Sequence, residues 1–103
     1  MRKVFIVCWA SASQDDDGNS SAFGNVNGVY DFLADAKKGL EDCKDYFVDE
    51  IVNNPDYDDE DKEIIKASLQ VYGSVEDDYF EIDYTTADSP REIYISLVEK
   101  EII

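Results

Sequence analysis

The chain has 103 residues, with 25 Asp and Glu against 9 Lys and Arg and no histidine, for a formal net charge of −16. That length suits one domain, and 44% hydrophobic content with 13% aromatics supplies the core that disordered acidic chains lack. Without histidine, Ser–His and Cys–His nucleophile pairs are excluded within the chain, and two cysteines are too few for a structural zinc site or a disulfide framework.

Residues 3–12 (KVFIVCWASA) form an apolar, β-branched and aromatic run that predicts a largely buried strand. Gln14 to Asn19 is turn chemistry. Residues 20–30 return as a weak strand interrupted by Gly24, Asn25, Asn27 and Gly28, so a loose hairpin with an irregular arm is expected. Cys8 and Cys43 read as small core residues. The short apolar run after Met1 does not fit a signal peptide, and no stretch approaches the roughly 20 apolar residues of a membrane span. A soluble cytoplasmic protein with no membrane partner is therefore expected.

A long helix is predicted from Phe32 to Asn53, with Asp31 as N-cap and Asn54-Pro55 as the stop. Leu33, Ala36, Leu40, Cys43, Phe47 and Ile51 form its apolar stripe, and Gly39 within it marks close approach of another backbone. A second helix is expected from Tyr57 to Tyr72, opened by the acidic run Asp58, Asp59, Glu60 and Asp61 and closed by Gly73. Ile65, Leu69 and Tyr72 are its core residues, although Ser68 to Tyr72 also suits a strand. Residues 79–85 and 92–101 alternate as two strands of an antiparallel hairpin. The expected fold is α+β: a small, mostly antiparallel sheet of three to four strands, order β(β)ααββ, with both helices on one face.

On a helical wheel with about 100° per residue, Asp31 at 0° is joined by Asp35, Asp42, Asp45 and Asp49 within about 40°. The apolar stripe lies between about 120° and 200°. Any amphipathic helix needs a polar outer face, yet Asp is a poorer helix former than Glu, Lys or Arg. Asp42, Asp45, Asp49 and Glu50 also crowd the C-terminal half, toward the end where the helix dipole disfavours anions, with Lys38 the only cation in the line. Local rules broken without local gain tend to mark function. The loops Asp15, Asp16, Asp17 and Asp58, Asp59, Asp61 are secondary acidic patches.

A rigid line of carboxylates is similar to one edge of a nucleic-acid backbone. In charge and compactness the chain resembles the acidic DNA-mimic proteins that phages and mobile elements use against host nucleic-acid-binding enzymes. That likeness is one of functional class, and it implies a counter-defence inhibitor whose partner is a basic nucleic-acid-binding protein, with no cofactor and no catalysis. Direct nucleic-acid binding is excluded by the scarcity of cations. The competing expectations are an interaction module whose acidity only keeps it soluble, contacting partners through Tyr30, Phe32 and Tyr46, and a weak calcium-binding domain. Neither acidic loop satisfies an EF-hand: aligning Gly18 with the loop glycine puts Ser13 at the first ligand position and Gly24 where the bidentate Glu belongs.

Overall fold

A computed structural model of the chain describes residues 2–14, 20–86 and 90–102. Strand β1 (Arg2–Gln14) pairs with β2 (Ser20–Tyr30); helices α1 (Leu33–Asn53) and α2 (Asp59–Ser68) follow; then come β3 (Gln70–Ser74), β4 (Tyr79–Thr85) and β5 (Pro90–Ile102). The five strands make one sheet in the order β2-β1-β5-β4-β3, with every neighbouring pair antiparallel. The α+β class is as expected, but the sheet is larger and the element order is ββααβββ.

Cross-strand register decides where the core lies. Val7 stands opposite Leu97, Trp9 opposite Ile95, Phe80 opposite Ile95 and Ile82 opposite Ile93, so these residues share one face. Ala36, Leu40, Cys43 and Ile51 of α1 and Ile65 of α2 join them in a single buried cluster. Both helices therefore cover the same side of the sheet. Leu40, Ile65, Ile82 and Ile95 are completely enclosed, and each such side chain contributes about 1.5–3 kcal/mol relative to exposure.

Several expectations change. The first hairpin is a regular ladder from Phe5–Tyr30 to Gln14–Ser20, with one register shift between Val7 and Cys8. Asp31 is not the N-cap: that position is Phe32, which makes no side-chain cap, and the Asp31 carboxylate instead pairs with the Arg2 guanidinium. Antiparallel pairing brings the start of β1 back beside the end of β2, which puts Arg2 within reach. Leu33, expected in the core, is exposed.

The second helix stops at Ser68, well short of Tyr72. Ser68 Oγ accepts the Thr85 N–H at 2.8 Å, and Leu69 turns extended, which swings the chain alongside β4. Gln70–Ser74 thus becomes the fifth strand, with Tyr72 exposed and Gly73 at φ 94°, a conformation open to glycine and not to a β-carbon facing Tyr79. Gly39 is approached by a side chain, not a backbone. The Tyr30 ring lies over it, and a β-carbon on Gly39 would fall 2.6 Å from Tyr30 Cζ. Cys43 is buried as expected, whereas Cys8 is only half-buried and on the opposite face of the sheet from the helices; both are free thiols.

Candidate functional site

The outward side of α1 carries Asp35, Asp42, Asp45 and Asp49 together with Glu41 and Glu50, all exposed, while Ala36, Gly39, Leu40, Cys43 and Ile51 are buried on the inward side. From Asp35 to Asp49 the line is about 21 Å long at 1.5 Å per residue. Asp45 pairs with Lys44, and Asp49 accepts the Asn53 side-chain amide at 2.7 Å. Asp35, Asp42 and Asp49 have no ion-pair partner among the described residues. The last turn of α1 has no basic residue to offset its dipole. Asp31 sits just before the helix, in its pair with Arg2.

The secondary patches divide. Asp58 caps α2 by accepting the Asp61 N–H at 2.8 Å, and Asp59, Glu60 and Asp61 fill the first turn, where the positive end of the dipole stabilises them. That acidic run thus has a structural reason of its own. Asp15, Asp16 and Asp17 lie outside the described residues. A further acidic turn, Glu76 to Asp78 between β3 and β4, is fastened to α1: Lys37 Nζ donates to Val75 O at 3.3 Å and pairs with Asp78 at 3.2 Å. This clamp brings the turn to the helix side of the molecule.

At the C-terminal end of α1 the sheet opens a cleft of about 360 Å³. Trp9, Phe47, Tyr57 and Tyr84 give it aromatic walls, with Glu50, Arg91 and Glu92 among its polar lining residues. Trp9 meets Phe47 edge-on with ring centroids 5.2 Å apart. Burial raises the Tyr84 hydroxyl above its ordinary pKa, with the Arg91 guanidinium pulling the other way.

On the far face of the sheet, Asp83 of β4 stands directly opposite Glu92 of β5, with Glu81 two residues away on the same face. Tyr79 donates to Glu81 at 2.8 Å, and Tyr94 donates to Glu92. Burial, then hydrogen bonding to Glu81 and the charges of Glu81 and Glu92, push the Asp83 carboxyl up to about 6. The Tyr79 hydroxyl is pushed up to about 12 by burial and then by Glu81; the Tyr94 hydroxyl is pushed up to about 12 by its hydrogen bond to Glu92 and then by burial. Asp83 Oδ1 is enclosed without a hydrogen-bond partner. In sequence Glu81 and Asp83 alternate with Phe80, Ile82 and Tyr84, but the juxtaposition with Glu92 comes from register alone.

The aromatic residues expected to form an apolar patch do not come together. Tyr30 is half-buried beneath Gly39, and Phe32 and Tyr46, 70% and 60% exposed, are about 21 Å apart along α1. Among the described residues no group of three or more carboxylates and thiols is arranged to hold a metal ion, and no helix is long and apolar enough to cross a membrane. Comparison with protein-family models, with curated proteins and with solved structures finds no match.

Proposed function

We propose that this protein is an acidic binding protein that occupies the basic groove of a nucleic-acid-binding partner, as a counter-defence inhibitor of a phage or mobile element does. The observation that carries this reading is the exposed aspartate line on α1, in which Asp35, Asp42 and Asp49 make no ion pair among the described residues and Lys38 is the one cation within the line. Shape agrees with it. The molecule is elongated, 51 × 25 × 22 Å, and its aspartate line is sparser than duplex DNA, which carries one charge per about 1.7 Å of axis. Long-range attraction steers a basic groove to such a surface, and Arg–carboxylate pairs hold it. The aromatic cleft beside Glu50 offers an indentation for an anchoring side chain of the partner, the usual place where interface energy concentrates.

The test is affinity capture from the source cell at low and high salt, followed by competition with a labelled DNA duplex for the captured protein. The expected result is capture of a basic nucleic-acid-binding protein, displacement of the duplex, and a steep loss of both as salt rises. Capture that persists unchanged through molar salt, or that survives replacement of Asp35, Asp42, Asp45 and Asp49 by Asn, overturns the reading.

A further inference from the structure

Strand β1 is apolar on both faces. Phe5, Val7 and Trp9 point toward the helices, while Val4, Ile6, Cys8 and Ala10 point away from them. A one-sided antiparallel sheet ordinarily places polar residues outward, and a strand apolar on both sides is the pattern of one covered on both. Here no helix lies on the second side, where Val4 is buried, Ile6 and Cys8 are half-buried and Ala10 is exposed. On the open side Ile6 is flanked by Val29 of β2 and Val98 of β5, and Cys8 stands opposite Val26. Val26, Val29 and Val98 are 53%, 60% and 47% exposed, so the strip is contiguous and wet.

The same face ends in charge. Ala12 pairs with Glu92, six residues along β1 from Ile6, which puts the Glu81, Asp83 and Glu92 group about 20 Å from the centre of the apolar strip. That group contains the enclosed, unpartnered Asp83 Oδ1. The cations facing this side among the described residues are Lys100, opposite Val4, and Arg2, already paired with Asp31, both at the far end. The apolar strip and the carboxylate group therefore occupy the two ends of one sheet face, about 20 Å apart, a span that a single extended or helical segment can cover.

We infer that this open sheet face docks a cationic, partly apolar segment of a partner protein. The segment's apolar side chains rest on Val26, Val29, Ile6 and Val98, and its lysines or arginines reach Glu81, Asp83 and Glu92. Charge selects this occupant over a second copy of the chain, which would bring a further −16 and its own three carboxylates to the contact. The inference goes beyond the function proposed above: it uses the opposite side of the molecule from α1 and none of its aspartates.

The experiment is amide NMR mapping of the full chain titrated with an 18-residue amphipathic Leu/Lys peptide at 0.3 M salt, alongside an oligolysine of equal charge. The expected result is saturable shifts concentrated on β1, β2, β4 and β5, and at least tenfold weaker binding of the oligolysine. Val29→Thr with Val98→Thr, which keeps β-branching and removes apolar surface, weakens the amphipathic peptide at least tenfold, and Asp83→Asn with Glu92→Gln does the same. Glu63→Gln with Glu101→Gln removes two charges elsewhere and leaves the affinity within twofold. Shifts centred on α1, equal binding of the two peptides, no saturable binding at millimolar peptide, or self-association through this face without peptide would each overturn the inference. Shifts on α1 that accompany, and do not replace, those on the sheet face report the α1 aspartates and leave this inference standing.

Discussion

Asp83 and Glu92 face each other across the β4–β5 ladder as a like-charged cross-strand pair. Direct opposition of like charges destabilises a sheet, here on the face that no helix covers. Because the Asp83 carboxyl is raised to about 6 in the folded chain, the folded state holds its proton more tightly than the unfolded state does. Stability from this group is fully present below the ordinary carboxylate range and is lost as pH rises through about 6. Asp83→Asn is expected to stabilise the protein by roughly 0.5–1 kcal/mol at pH 7.5 and to make little difference at pH 4.5. Urea unfolding of both proteins at the two pH values checks this; an equal effect at both would remove the titration from the explanation.

The aspartates of α1 carry an opposed pair of expectations. Replacing Asp45 or Asp49 by Asn removes the like-charge contact between these two residues four apart on α1 and should raise stability by roughly 0.2–0.5 kcal/mol. The same changes should weaken partner capture. A surface present only for solubility would lose neither capture nor specificity on becoming more stable, so melting temperature and capture measured on the same variants separate the two readings.

Tyr30 and Gly39 are matched in size. Ala at position 39 gains up to about 1 kcal/mol of helix propensity, but its β-carbon meets the Tyr30 ring, and overpacking of this kind costs about 1–3 kcal/mol. Gly39→Ala should therefore be destabilising on balance, and neutral or stabilising when Tyr30 is also replaced by Ala. A double-mutant cycle in denaturant gives the coupling; an additive result would refute the contact.

The two thiols should differ in reactivity. Burial pushes Cys43 up to about 11, so at pH 8 it holds little thiolate, and it lies within the helix-side core. Cys8 is half-buried on the open face. Native protein should release one equivalent with an aromatic disulfide reagent well before the second, and mass spectrometry should place the fast adduct on Cys8. The amphipathic peptide should slow that reaction, since it covers the same face. Fast labelling of Cys43 would contradict the packing.

Asp58→Ala removes the cap of α2 and should cost about 1 kcal/mol, measured by thermal or denaturant unfolding. If that variant still binds a basic partner as tightly as before, the Asp58–Asp61 run serves the helix and not the interface.

Much of the local structure could be read directly from the chain. The 3–4 spacing from Ala36 to Ile51 set the inward side of α1, Asn54-Pro55 ended it, and alternation from Phe80 to Tyr84 and from Ile93 to Leu97 defined the last hairpin. Gln70–Ser74 was hidden because Val71 and Tyr72 suit a strand and a helix end equally, and only the Ser68–Thr85 hydrogen bond chooses between them. Asp31 as a cap failed for a related reason, since Arg2 becomes its neighbour only once β1 and β2 pair.

The sequence by itself determined the charge, the absence of histidine chemistry, the amphipathic helix and the aspartate line upon it, because composition and a 3.6-residue period are properties of contiguous chain. That both helices cover one side was already expected from the element order; only the tertiary structure decided that an apolar strip of β1, β2 and β5 lies on the other side, and that Asp83 meets Glu92. Register across a sheet joins residues that no local pattern relates, and it is register that turned scattered carboxylates and valines into a second surface.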